Sequence, residues 1–300
     1  MRRALILLFL LCFAGVGDSL RAQESRPPVE VRALGTWQGR SLREASGLAV
    51  SRRHPGILWV HNDSGDGPHV YAVDTTGALR AVFEVAGARA VDWEDIALGR
   101  CPANLWVDRA CLYLADTGDN DQRRTRVVIY AVPEPDTVPD AAEVPVRTEL
   151  ARPLRLRYPD RSHDAEALAA LADGRLELFT KGRTGQVLRF EIGPEAWLGS
   201  DFDLGTADTL PILPTILRGR WVTGAAADLD GVHVLLRTYT EVYRLRPGVR
   251  WTVAGPPCQI GLIEPQGEAI DELEPGQMVL GSEGGRGRPG GLTLVRCRWD

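Results

Sequence analysis

A short pattern returns five times along this chain, and few folds can give five copies of one strand-rich unit equivalent places. Ser46-Gly47-Leu48-Ala49, Glu94-Asp95-Ile96-Ala97, Glu166-Ala167-Leu168-Ala169, Thr223-Gly224-Ala225-Ala226 and Glu268-Ala269-Ile270-Asp271 each open on an oxygen-bearing side chain and continue with small and apolar residues. A second apolar run follows each one, as in Leu58-Trp59-Val60-His61-Asn62 and Leu112-Tyr113-Leu114-Ala115-Asp116, and ends in a polar turn. A third run comes next, clearest in Val70-Tyr71-Ala72-Val73 and Ile129-Tyr130-Ala131-Val132. The pattern starts lie 48, 72, 57 and 45 residues apart. Short strands and turns repeating at that interval predict an all-β chain folded as a single closed β-propeller. Five starts predict five blades. A six-bladed ring is the alternative, with a degenerate repeat hidden in 136–160.

The two ends of the repeat region complement each other. Residues 29–38 read as one strand with no partner before it, and Leu292–Cys297 as a third strand with no fourth after it. The N-terminal strand is therefore expected to join the last blade, in the sheet formed by 277–298, and so remove the exposed sheet edges of an open array. The propeller domain is assigned to 29–300, with 23–28 as a linker.

Residues 1–22 read as a signal peptide: Arg2-Arg3, an apolar run from Ala4 to Val16, and Ala22 at a cleavage point. The run is too short for a stop-transfer helix and no second stretch approaches about 18 apolar residues, so export is expected without integral membrane association. Cleavage at that point leaves 32 basic against 39 acidic side chains, a net charge of −7. A mildly acidic domain lacks the clustered basic face that nucleic acid requires. A monomer is expected. Four cysteines remain: Cys101 and Cys111 flank one loop between strands, and pairing them leaves Cys258 with Cys297, in the oxidising compartment that export implies.

In a closed ring the starts of all inner strands share one face of the disc. Ser46, Glu94, Glu166, Thr223 and Glu268 are thereby expected at equivalent positions around the channel mouth. Three ionised glutamates at close range are unfavourable unless some protonate or a cation sits among them. With only oxygen ligands on offer the expected ion is Ca²⁺; the alternative is a channel cap bonded to water and backbone. Lys181, the only lysine in the chain, and Arg237 end second strands of neighbouring blades. They are expected to form a cationic arc that holds a small anionic ligand. Asn62–Asp66 and Asp116–Asn120 read as Asx-rich turns on the same face. His163, beside Asp164, lies just ahead of Glu166 and offers an acid or base, while Trp93 is expected to pack between blades.

These residues resemble the exported calcium-dependent β-propellers of the phytase-like and apyrase-like kind. The resemblance rests on Glu166-Ala167-Leu168 with Leu176-Glu177-Leu178 and on Trp93-Glu94-Asp95-Ile96-Ala97 with Asp116-Thr117-Gly118-Asp119-Asn120. It implies calcium held at the channel by Glu94, Glu166 and Glu268, with Ser46 and Thr223 as weaker ligands, and phosphate held by basic residues nearby. Two functions follow as expectations. One is a calcium-dependent hydrolase of a small phosphate or other ester, with Glu166, Lys181 and Arg237 as its catalytic group. The other is a binding module for a carbohydrate, peptide or protein that uses the ion structurally.

Overall fold

The structure is a computed structural model that describes residues 25–299 apart from 40, 43, 141, 213–217, 262 and 286. The leader expected at 1–22 lies outside the described residues. Five mainly antiparallel sheets stand around a common axis, which fixes the blade count at five. Their inner strands are Ala45–Val50, Trp93–Arg100, Ala165–Ala170, Val222–Ala227 and Gln266–Glu274. Each is followed outward by a second and a third strand: Ile57–Asn62 and His69–Asp74, Ala110–Asp116 and Val127–Pro133, Leu176–Thr180 and Leu188–Ile192, Val234–Thr238 and Glu241–Arg246, Gln277–Glu283 and Gly291–Arg296. The fourth strand of the last blade is the N-terminal Glu30–Thr36, which pairs antiparallel with Gly291–Arg296 and closes the ring. Among the described residues the helical elements are two short 3-10 turns, Pro194–Leu198 and Arg218–Arg220, and no helix is long and apolar enough to cross a membrane.

The region that allowed for a sixth blade is divided between two existing ones. Ala142–Arg147 adds a parallel fifth strand outside Leu79–Glu84 of the first blade, and Arg152–Arg157 is the fourth strand of the second. Pro145 explains the placement, because a proline cannot donate to a ladder and is tolerated only at an edge. This crossing also accounts for the long second spacing. Residues 25–28, expected as a linker, run along the fourth blade, where Arg26 makes a parallel bridge to Cys258.

The core follows from the ring. Five buried apolar clusters each fill one seam between neighbouring blades. Trp93 belongs to the first such seam, with Trp59, Phe83 and Tyr130. Cys101–Cys111 closes the loop of the second blade, and Cys258–Cys297 ties the fourth blade to the end of the third strand of the fifth. Small residues line the channel because inner strands approach closely there: a Cβ at Gly224 would lie 2.5 Å from the carbonyl oxygen of Glu268.

Polar stitching inside the channel falls to two buried aspartates. Asp95 accepts Ile96 N–H at 2.9 Å, Leu168 N–H at 2.8 Å and Ala225 N–H at 3.1 Å, so one carboxyl joins three blades. Asp271 of the fifth blade accepts Val50 N–H of the first at 2.6 Å. An Asp95→Ala variant leaves those three amides without their partner, so denaturant unfolding should show a loss of at least about 3 kcal/mol. Burial pushes the Asp271 carboxyl up to about 6, with Arg52 and the amides opposing. Its folded value thus lies above the unfolded ~3.9, so its contribution to stability is full below about pH 4 and is lost as pH rises through about 6. Relative to Asp271→Asn, the wild type should lose about 2–3 kcal/mol between pH 4 and pH 7. Equal pH slopes for the two proteins would contradict this assignment.

Candidate functional site

The ladder between the first two strands of every blade is interrupted at the same place, and that of the fifth blade a second time between Glu272 and Glu274. The register shifts between Ala45 and Gly47, Trp93 and Asp95, Ala165 and Ala167, Val222 and Gly224, and Gly267 and Ala269. The residues left out of the pairing are Ser46, Glu94, Glu166, Thr223 and Glu268, the five that open the sequence repeat. A bulge leaves one residue unpaired and re-aims its side chain. All five are buried. Ser46 Oγ donates to the Glu94 carbonyl at 2.9 Å, and the Tyr239 hydroxyl donates to the Glu268 carboxyl at 3.0 Å.

Two sets of carboxylates converge here. Glu94, Asp164 and Glu166, all buried, offer oxygens within 4.8 Å of one another, and so do Asp63, Asp92 and Glu94, of which Asp63 and Asp92 are half-buried. Buried acidic clusters of this kind can bind a metal ion. Glu268 carries the ring onward but falls in neither set. Asp63, Asp92 and Asp164 were missed as ligands, although a signal was present for the last two: Asp92-Trp93-Glu94 and Asp164-Ala165-Glu166 share an Asp two residues before the ring glutamate. In an extended strand that spacing returns both side chains to one face.

Burial raises the Glu94 carboxyl well above the ordinary range, reinforced by Glu166, Asp63 and Asp92. Glu166 is raised by burial and by Asp164, against the pull of Lys181. Burial, then Glu268 and Asp63, pushes Glu283 up to about 8, while burial and Asp63 push Asp92 up to about 6. These directions have one origin, too many carboxylates in too little water. Glu166 Oε1 and Thr223 Oγ1 are buried without a hydrogen-bond partner.

The expected pairing of Lys181 with Arg237 is corrected by the ladder. Ala165 pairs with Thr180 and Val222 with Thr238, so the position matching Lys181 in the fourth blade is Tyr239, not Arg237. Lys181 Nζ lies 2.6 Å from Glu166 Oε2, and its proton is held more tightly than usual because the attraction of Glu166 outweighs the cost of burial. Arg237 lies deeper and is fully buried. It donates to the carbonyls of Ala269 at 2.5 Å and Gly281 at 2.9 Å and pairs with Glu264. It therefore fastens the fourth blade to the fifth and does not reach the mouth. The cations nearest the mouth are instead Lys181 and two arginines. Arg183 lies 3.5 Å from Asp164 and stacks 5.0 Å from the Trp221 ring; Arg124 lies 2.8 Å from Asp116. His163 is buried, paired with Asp160 at 2.9 Å and packed against Tyr158 and Phe190.

Replacing Lys181 by Met should destabilise the protein by roughly 3–5 kcal/mol in cation-free buffer, because Glu166 then lacks its counter-charge. A further change, Glu166→Gln, should recover most of that loss. Denaturation of both variants checks the pair, and a Lys181→Met protein as stable as the wild type would contradict it.

No family model and no curated protein matches this chain. Solved structures that resemble it are β-propeller proteins. A PQQ-bound aldose sugar dehydrogenase from Streptomyces coelicolor is 15% identical with a TM-score of 0.47, covering 90% of this chain and 99% of the other. An α-L-arabinofuranosidase from Podospora anserina is 10% identical with a TM-score of 0.50, covering 88% and 94%. A virginiamycin B lyase from Staphylococcus aureus is 9% identical with a TM-score of 0.45, covering 90% and 99%. The comparisons bear on architecture alone. The resemblance to phytase-like and apyrase-like propellers finds no support in them beyond the fold.

Proposed function

We propose that the channel mouth is a calcium centre of an exported propeller, at which a small anionic ester is bound and hydrolysed. The observation that carries this reading is the buried triad of Glu94, Asp164 and Glu166, within 4.8 Å of one another, in which Glu166 Oε1 has no hydrogen-bond partner. The donor set fits the ion: every candidate ligand is a hard oxygen, and Ca²⁺ accepts such ligands in a flexible arrangement. A bound calcium supplies charge that polarises a phosphoryl or carboxyl oxygen.

The chain's own residues supply the rest. Lys181 pairs with Glu166 and opposes the burial that disfavours its charge, Ser46 fixes the backbone of Glu94, and Tyr239 orients Glu268. Asp63 and Asp92, half-buried on the solvent side, are placed to take a proton from an attacking water as the ester bond breaks and the alcohol leaves. Arg183 and Arg124 at the rim attract the negative charge of the ligand. Arg237 acts as a positioning residue by holding the inner strand of the fifth blade.

A second reading is a non-catalytic binding module with a structural ion. What favours it is that Lys181 is already spent on Glu166 and Arg237 on Glu264. Turnover of phosphomonoesters, nucleotides and carboxyl esters, assayed with calcium and with chelator, separates the two. Calcium at about 100 times its dissociation constant should add about 2.7 kcal/mol to folding, and Glu166→Gln should abolish both that gain and turnover. Calcium stabilisation with saturable ligand binding but no turnover would leave the binding module. An unchanged melting temperature with and without chelator would remove both.

A further inference from the structure

We propose that the mouth holds two cations that share Glu94: an inner ion on Glu94, Asp164 and Glu166, and an outer, solvent-facing ion on Asp63, Asp92 and Glu94. This extends the calcium reading above and rests on it. The first support is geometric, since each of the two triads brings its ligand oxygens within 4.8 Å and Glu94 is the member common to both.

Second, Glu94 itself lacks a partner. It is 6% exposed, yet among the described residues its carboxylate accepts no hydrogen bond and pairs with no basic side chain. Buried carboxylates ordinarily gather donors. The loop above it offers none from a side chain, because the residue there is Gly118. A Cβ at that position would lie 2.1 Å from Glu94 Oε1 and 2.5 Å from Asp92 Oδ2. A side chain at this position would push both carboxylates aside, so the glycine lets the backbone lie close over them.

Third, the charges decide the number. Asp63, Asp92, Glu94, Asp164, Glu166, Glu268 and Glu283 face Lys181 and Arg183, a formal excess of five negative charges; Asp116 is already matched by Arg124. One divalent ion leaves three of those charges uncompensated, and two leave one. The two sites differ in access. All three inner ligands are buried, whereas two of the outer three are half-exposed. The inner ion is thus the tightly held one, and the outer ion exchanges with solvent and is the one a ligand oxygen can reach. A pair of cations across one carboxylate can clamp the attacking and leaving oxygens of a displacement together.

The test is a calcium titration of the full exported chain by calorimetry, with tryptophan-sensitised terbium luminescence as a second probe. The wild type should bind two ions with affinities at least about tenfold apart. Asp92→Asn should bind one ion and keep most of the calcium-induced rise in melting temperature. Asp164→Asn should lose the tighter site, Glu94→Gln both, and Gly118→Ala, whose Cβ would crowd the shared Glu94 as well as Asp92, should weaken both. Asp63→Asn carries the same measurement as Asp92→Asn if the latter fails to fold. A single wild-type site, or two sites unaltered in both Asp63→Asn and Asp92→Asn, overturns the second ion and leaves the calcium centre standing. No binding of either ion overturns both.

Discussion

One unpaired residue near the start of each inner strand governs the chemistry of this protein. A strand that ran on in register would alternate its side chains between the two faces of its sheet and send them into the seams. The bulge at Ser46, Glu94, Glu166, Thr223 and Glu268 breaks that alternation at the same level in every blade. Five-fold repetition then does the rest, because a ring closed at five blades brings those five positions to one mouth. Below the bulge the strands resume pairing, and the next residue of the second blade, Asp95, stitches three of them together.

Concentrating carboxylates in this way costs free energy, and the surroundings show how it is offset. Lys181 answers Glu166, Tyr239 answers Glu268, and the amide of Asp119 answers Asp164 at 3.0 Å. Among the described residues the Glu94 carboxylate has no such hydrogen bond or ion pair, and burial and its acidic neighbours disfavour its charged form against the more distant pull of Lys181. Either protons or cations must make up the difference, and at neutral pH a cation provides more charge than a proton in the same space. The seams are unaffected by this balance, since each is filled by its own apolar cluster.

Much of this was legible in the residues. The repeat gave blade number and ring closure, and the ring side chains could be aligned because each opens its pattern on an oxygen. The cysteine pairs followed from spacing around single loops and seams. What failed was register. Lys181 and Arg237 look equivalent when strand ends are matched by eye, but the ladder offsets them by two residues, which moves Arg237 from the mouth into the wall. Asp63 sits in a turn whose approach to Glu94 depends on the blades being assembled, so composition alone says little about it. The transfer of 142–147 to the first blade is likewise a tertiary choice: a proline-bearing segment has no ladder of its own to prefer and takes whichever edge lies nearest.

The account stands or falls on whether an ion replaces the partner that Glu94 lacks. Long-wavelength anomalous diffraction from crystals grown with calcium tests that directly. The account predicts anomalous peaks about 2.3–2.6 Å from carboxylate oxygens of Glu94 and Glu166. A mouth containing only water, with Glu94 and Glu166 bridged by a shared proton, would contradict it.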